Sequence, residues 1–296
     1  MKIDSTVRYC GRDFSGEEIE FIQKLIASNP GYNRWKLSQV VCEELGWLRP
    51  DGRIKDMSCR VAMLRMHRDG LIVLPPPQRK NGNGRNRVSF TSASDPGFPV
   101  FMPAGELGEL CFHQVKSRQD SSVWNELIER YHYLGYTPLP GAQIRYLVFT
   151  ACRTLLAAIG FGASAWKVAP RDKFIGWTAK QRESNLPLIV NNARFLILPW
   201  VTSRNLASRI LAGVSKQLPC DWQERYGYTP VLLETFVEKA RFRGTCYKAA
   251  NWMCVGETQG RGKLDTQNLF SLPVKDIFLF PLDKDFKQIL CSSSSE

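Results

Sequence analysis

The chain has 296 residues, and its 40 Lys and Arg against 28 Asp and Glu give a formal net charge of +12. Hydrophobic residues make up 44% and aromatic residues 11%, which excludes an intrinsically disordered chain, and the length allows two domains. The excess of positive charge favours a polyanionic partner, because phosphate contacts release condensed counterions. The alternative is a generally basic soluble enzyme.

The cysteines and the apolar segments indicate the compartment. The nine cysteines are scattered, without CxxC spacing or a nearby His pair, which argues against a zinc site and fits reduced thiols. The first residues lack an apolar signal core, and the most apolar stretch, 146–166, has Arg153 within it. We therefore expect a cytoplasmic protein with no membrane partner.

The first 76 residues predict a small helical domain. Ser15 and Glu18 form a capping-box pattern before an apolar helical stripe, which predicts a helix over 14–28. Further elements follow as helices over 34–45 and 55–69 and a short strand over 71–74. This order is typical of a winged-helix-like domain, in which the third helix would place Lys55 and Arg60 on DNA. Residues 1–76 hold 12 basic and 10 acidic residues, so a protein-docking module is the alternative.

Residues 77–104 are rich in Gly, Asn, Ser and Pro, and they carry closely spaced cations that include Arg85 and Arg87. This composition predicts either a solvated linker or a wing hairpin centred on Asn83 and Gly84, whose basic residues would lie along a phosphate backbone.

A second domain is predicted over 105–290, followed by a disordered tail at 291–296. A helix is expected at about 122–133 and another over 203–218. Strands are expected over 144–151, 155–164, 187–198, 229–237 and 276–282. The chain as a whole therefore predicts an α+β protein, with a winged-helix-like helical domain followed by a mixed α/β domain.

Polar residues inside apolar strands mark the first candidate site. Glu234 lies within VLLETFV, where a carboxylate must pair with a cation, bind a metal or act as an acid or base. Asn192 and Arg194 interrupt another strand, and Arg145 begins a third. The structural alternative is that Arg194 or Arg145 pairs with Glu234 across the sheet.

Two loops add further candidates. His132 stands beside a loop fixed by Pro and Gly, where it would act as a general base or contact phosphate; the alternative is a capping or packing residue. The neighbouring Tyr133 forms core, or stacks on bases if it is exposed. Gln259 and Arg261 belong to the glycine-rich segment ETQGRGK, which would cradle a phosphate or form a surface turn. We expect one phosphate- or nucleic-acid-binding cleft lined by eight residues: His132, Gln143, Arg145, Asn192, Arg194, Glu234, Gln259 and Arg261. The sequence has no nucleotide-triphosphate motif.

Seven motifs carry a family resemblance over about residues 10–282. They are HYLGYTPLPGAQIRYLVF, AAIGFGASAWKVAPRDKFIGW, VNNARFLILPWV, NLASRIL, RYGYTPVLLETFV, GTCYKAANW and GETQGRG. Together they resemble the DruA family of the Druantia anti-phage systems, a domain that also occurs fused to transposase-like proteins. The resemblance implies a component of a multi-gene bacterial antiviral system that works beside a large helicase-like partner.

The order of motifs also resembles an acetyltransferase core of the GNAT type. The strand with Asn192 would then precede a cofactor-binding helix, and Gly244 with Tyr247 would match a late Gly-x-x-Tyr segment. The usual pyrophosphate loop, Q/RxxGxG/A, is missing where that helix begins, which favours a fold used for another purpose.

We therefore expect a DNA-binding defence protein. The rival hypothesis is an enzyme with Glu234 and His132 as catalytic residues. A nuclease or strand transferase using Mg²⁺ or Mn²⁺ ranks above an acyltransferase, and the metal ligands are undetermined.

Overall fold

The computed structural model describes residues 6–49, 52–78, 88–260 and 272–292. The chain divides into two units, Met1–Asn86 and Arg87–Glu296. Within the described residues no helix has the length and apolar character needed to cross a bilayer.

The first unit contains the three predicted helices. A short hairpin that the sequence analysis did not predict precedes them in the chain. Its elements are β1 (Val7–Tyr9), β2 (Arg12–Phe14), α1 (Gly16–Ser28), α2 (Arg34–Glu44) and α3 (Asp56–Arg68). The capping box that begins α1 is present: Glu18 N donates to Ser15 Oγ at 3.2 Å, and Ser15 N donates to Glu18 Oε2 at 3.1 Å. The helices enclose a core that includes Ile19, Leu37 and Met66.

The predicted strand over 71–74 is wrong. Residues 71–74 form no strand with the residues that the structure describes, and side chains bind their backbone. Gln23 Nε2 donates to Leu71 O at 2.7 Å, and His67 Nδ1 lies 3.1 Å from Ile72 O.

The second unit is built on a mixed sheet of seven strands. They are β3 (Leu110–Gln114), β4 (Ile144–Thr150), β5 (Leu155–Ala163), β6 (Ile189–Ile197), β7 (Leu232–Glu238), β8 (Met253–Glu257) and β9 (Lys275–Pro281). Their order across the sheet is β3-β4-β5-β6-β7-β9-β8. All neighbouring pairs are antiparallel except β6 and β7, which are parallel. This confirms the predicted α+β class.

The two longer helices of this unit, α4 (Arg118–Tyr131) and α7 (Leu206–Tyr226), cover opposite faces of the sheet. Trp124 of α4 lies over Gly160, whereas Tyr146, whose side chain points to the other face, donates to Asp221 of α7 at 2.6 Å. Shorter helices are α5 (Ala169–Ile175), α6 (Ala179–Asn185), α8 (Thr245–Ala249) and α9 (Phe286–Leu290).

The predicted end of the long helix at Leu218 is wrong, because α7 continues past Pro219 to Tyr226. Proline removes one backbone hydrogen bond from a helix. Here Leu218 and Trp222 are buried on either side of the proline. Burial of both side chains outweighs the loss and keeps the chain helical.

Residues 91–104, which the sequence analysis assigned to the linker, pack against this unit. Glu126 of α4 accepts hydrogen bonds from Thr91 N at 2.7 Å and Thr91 Oγ1 at 2.8 Å. Farther along, Val100 N donates to Trp200 O at 2.9 Å. The segment thereby lies beside α4 and the turn that precedes α7.

Candidate nucleic-acid interface

The parallel strands β6 and β7 diverge towards their carboxyl ends. They pair only from Ile189 to Asn191 with Leu232 to Glu234. Beyond that point β6 remains paired with β5 and β7 with β9, so the two strands have different neighbours. In open α/β sheets the place where neighbouring strands separate at their carboxyl ends is a common position for a ligand.

Six residues cluster beside this point on the face covered by α4, and we call this cluster the β6–β7 crevice. They come from the loop after α4, from β6, from the end of β7 and from the turn that follows it: His132, Tyr133, Arg194, Glu238, Arg241 and Phe242. Two arginines, one histidine and two aromatic rings therefore lie around one carboxylate.

Arg194 fixes the loop after α4 against β6. Its guanidinium donates to Gly135 O at 3.3 Å, Ala193 O at 2.8 Å and Thr137 Oγ1 at 2.8 Å. All three acceptors are neutral, and burial lowers the pKa of Arg194 from its ordinary value. The local positive charge is therefore available to an anion.

His132 is a neutral donor in this setting. Burial and, to a smaller extent, the charge of Arg194 lower its pKa to about 4. Leu134 N lies 3.2 Å from His132 Nδ1 and donates to it, so the neutral ring carries its proton on Nε2. A ring in this state can donate to a phosphate or a carbonyl oxygen at neutral pH.

Glu238 orients the exposed edge of the crevice. It is 8% exposed and accepts a hydrogen bond from Arg241 Nε at 3.0 Å. The guanidinium of Arg241 then lies over the Tyr133 ring, 5.2 Å from its centroid. Phe242 contacts the same ring at 5.3 Å with the planes tilted by 60°. Burial first and Glu238 second raise the pKa of Tyr133.

On the opposite face, the space between the strands is filled by protein. Tyr247 donates to Asn192 Oδ1 at 2.8 Å, and Thr235 Oγ1 donates to Asn192 O at 3.0 Å. Asn192 Nδ2 donates to Gly160 O at 3.3 Å. Asn192 is thus bound within the core, away from the β6–β7 crevice, and this network occupies the divergence between β6 and β7.

Arg145 and Arg194 lie in one cross-strand row. Gly160 of β5 pairs with Arg145 on one side and Arg194 on the other, so two strand spacings, about 10 Å, separate the two arginines. Arg145 donates to Asn125 Oδ1 and Ser121 Oγ, both at 2.9 Å. Trp124 stands between the two guanidinium groups, so Arg145 is outside the crevice.

The partner of Glu234 is Arg171, which corrects the expected pairing with Arg194 or Arg145. Arg171 NH1 donates to Glu234 Oε2 at 2.7 Å, and both side chains are 0% exposed. Ala165 N donates to the other carboxylate oxygen at 2.8 Å. Burial raises the pKa of Glu234, and the charge of Arg171 opposes that rise. Both oxygens are therefore occupied, and a catalytic role for Glu234 remains a prediction from the sequence.

The remaining members of the predicted cleft are dispersed. Gln143 N donates to Tyr226 OH at 2.7 Å at the end of α7. Gln259 is exposed and follows β8, whose carboxyl end lies at the same edge of the sheet as that of β7. Arg261 lies outside the described residues. Across the residues that the structure describes, no group of three or more His, Cys, Asp or Glu is placed to hold a metal ion.

In the first unit, Lys55 and Arg60 lie at the start of α3. Lys55 is half-buried, and burial lowers its pKa. Arg60 NH2 donates to Asp56 Oδ2 at 3.2 Å. The exposed face of the helix instead carries Met57, Val61, Arg65 and Arg68. Arg85 and Arg87 are outside the described residues.

Sequence reasoning missed Arg241, Phe242 and Glu238. They stand in EKARFRG, directly after an apolar strand, and a run of cations and an aromatic residue at the carboxyl end of a strand is the signal that could have identified them. It did place His132 and Arg194, which the structure brings together.

Comparison with known proteins identifies one family. A family model described as Druantia protein DruA matches residues 65–272, which is most of the chain. No curated protein matches.

Similar solved structures include the spermidine/spermine N-acetyltransferase SpeG from Vibrio cholerae in complex with manganese ions. It has 9% identity and a TM-score of 0.39, covering 60% of this chain and 96% of that chain. SpeG from the same organism with CoA and spermine has 10% identity and a TM-score of 0.37, covering 58% and 95%. At such identities the likeness concerns the fold alone.

Proposed function

The chain belongs to the DruA family, a component of the Druantia anti-phage defence system, and we propose that within this system it binds DNA through the β6–β7 crevice. A helicase-like partner, which the family resemblance implies, would then act on the DNA that this protein holds.

The arrangement of Arg241 over Tyr133 beside Phe242 carries the proposal. Arg241 is 57% exposed while Glu238 holds its Nε, so its terminal N–H groups face solvent in a fixed orientation. A guanidinium fork held in this way suits phosphate oxygens, and exposed aromatic rings suit bases. Arg194 and the Nε2 proton of His132 supply further donors for an anion.

The charge of the surrounding chain supports the same partner. The segment 239–248, which follows β7 and includes the first residues of α8, has four Lys or Arg and no Asp or Glu. Lys239 is paired with Glu257, whereas Arg243 and Lys248 are exposed. A cationic segment at the mouth of a crevice raises the local concentration of a polyanion.

Binding of labelled DNA by the purified protein across a salt series tests the proposal. We expect log K to fall linearly with log salt, and Arg241→Gln to weaken binding and reduce the steepness by about one phosphate contact. The control is Lys284→Gln, which removes one charge beyond β9, beside the amino end of β7.

Equal slopes for the Arg241 and Lys284 variants would place the DNA elsewhere on the protein. Absence of binding at any salt concentration would overturn the proposal altogether and assign the positive charge to solubility.

A further inference from the structure

We infer that the β6–β7 crevice takes an unpaired nucleotide, with its base stacked on Phe242 and its phosphate on Arg241 and Arg194. This inference rests on the proposed function and names the form of DNA that the crevice selects. It follows from the exposure of the two rings and from the contacts that hold them.

Tyr133 is partly exposed, at 37%, and its ring contacts two neighbouring side chains besides Phe242. His132 packs on it with ring centroids 4.9 Å apart and planes tilted by only 31°, and Arg241 lies over the ring at 5.2 Å. Tyr133 is therefore the ring on which Arg241 and Phe242 both rest.

Phe242 is the more exposed of the two rings. It is 47% exposed, and among the described residues Tyr133 is its sole aromatic contact, with the ring planes tilted by 60°. Its side chain belongs to the turn between β7 and α8, where Arg241 N and Phe242 N both donate to Glu238 O, at 3.1 and 2.9 Å. These backbone hydrogen bonds present the ring at a fixed position, which lowers the entropy lost when a base stacks on it.

Hydrogen-bond donors lie beside Phe242. Arg241 is adjacent to Phe242 in the chain, and its terminal N–H groups are exposed. His132 packs on the Tyr133 ring, and the charge of Arg194 acts on both His132 and Tyr133, so both groups belong to the same cluster. A base on the ring and a phosphate on the guanidinium groups are the two parts of one nucleotide.

The stacking requirement selects against a paired base. Within a duplex both faces of each base are covered by its neighbours, so Phe242 can reach a base face only in a single strand, at an end or at a base extruded from the helix. Contacts to phosphate alone would not make this distinction.

The test compares three labelled probes of equal charge per strand: an oligothymidylate of about 20 nucleotides, an abasic strand of the same length, and a duplex. We expect Phe242→Ala to weaken binding of the oligothymidylate about tenfold and to leave the abasic strand and the duplex within about twofold. Phe98→Ala, at a ring that is 92% exposed outside the crevice, is the matched control.

Equal losses on all three probes, or no loss on the oligothymidylate, would overturn the inference while leaving DNA binding intact. Failure of the wild-type protein to bind any probe would instead overturn the proposed function. Because Phe242 is exposed, the variant should keep the wild-type melting temperature, and Phe242→Trp should restore binding of the oligothymidylate.

Discussion

Arg171 and Glu234 form an ion pair from which solvent is excluded on both sides. The exposed fraction of each side chain is 0%, and the carboxylate is bound by Arg171 and by Ala165 N. A buried pair offsets the cost of removing two charges from water only while both partners are present, and breaking it leaves an uncompensated charge.

We therefore expect Glu234→Ala to lower the free energy of unfolding by about 3–5 kcal/mol, because only Asp172 would remain beside Arg171. Urea unfolding followed by tryptophan fluorescence measures this. The control, Glu224→Ala, breaks an exposed pair with Lys116 and should change stability by less than about 1 kcal/mol. A folded, stable Glu234 variant that lost an activity on DNA would support the catalytic role predicted from the sequence.

The state of His132 predicts a dependence of stability on pH. In the folded protein, burial lowers the pKa of His132 from the ordinary 6.5 to about 4. As the pH falls from 6.5 towards 4 the unfolded chain binds the proton first, so the contribution of His132 to stability is complete above 6.5 and is lost across that interval. Partial exposure reduces the effect to about 1–2 kcal/mol.

His132→Asn isolates this contribution, since its amide oxygen can still accept from Leu134 N. Urea midpoints at pH of about 7 and about 5 should differ more in the wild-type protein than in the variant. An identical fall in both would mean that the fall comes from other groups and that His132 titrates in the folded protein near its ordinary value.

At the scale of elements, β5 determines how closely α4 approaches the sheet. A Cβ on Gly160 would lie 2.7 Å from Trp124 Cζ2, and Trp124 is fully buried, so the ring cannot move aside. Because Gly160 has no side chain, Trp124 of α4 packs directly on the sheet at the strand position between Arg145 and Arg194. The loop after α4, with His132 and Tyr133, reaches β6 for the same reason.

Gly160→Ala should lower the free energy of unfolding by about 1–3 kcal/mol through this overpacking. Gly162 is the matched control on the same face of β5, because a Cβ there would lie 3.6 Å from Leu139 Cβ, an ordinary contact. Thermal unfolding of the two variants measures the difference, and equal melting temperatures would show that Trp124 can move.

The elements differ in how well the sequence predicts them. Apolar periodicity placed α1, α2 and α3 and five strands of the sheet, because each buries one face or both. It missed β3 and β8, whose sequences LCFHQ and MCVGE are short and partly polar and contain no fully buried residue. It also missed the Arg171 partner of Glu234, since that pair joins residues 63 positions apart and only the folded sheet brings them together.

At the scale of the whole molecule, the net charge of +12 does not indicate which of the two units would contact DNA. The second unit contributes the β6–β7 crevice. In the first unit, Arg65 and Arg68 are on the exposed face of α3 together with Met57 and Val61. That face suits the duplex contact predicted for a third helix. Arg65 and Arg68, rather than Lys55 and Arg60, would then be the residues that reach phosphate.

If α3 contacts phosphate, the affinity for duplex DNA should depend on salt even where the β6–β7 crevice makes no contact. Arg65→Gln should reduce the slope of log K against log salt by about 0.9, whereas Lys24→Gln, an exposed charge on α1, should leave it unchanged. Fluorescence anisotropy with a duplex at several salt concentrations measures both. If the two slopes equal that of the wild type, α3 does not touch phosphate, and its exposed Met57 and Val61 then favour the protein-docking alternative for this unit.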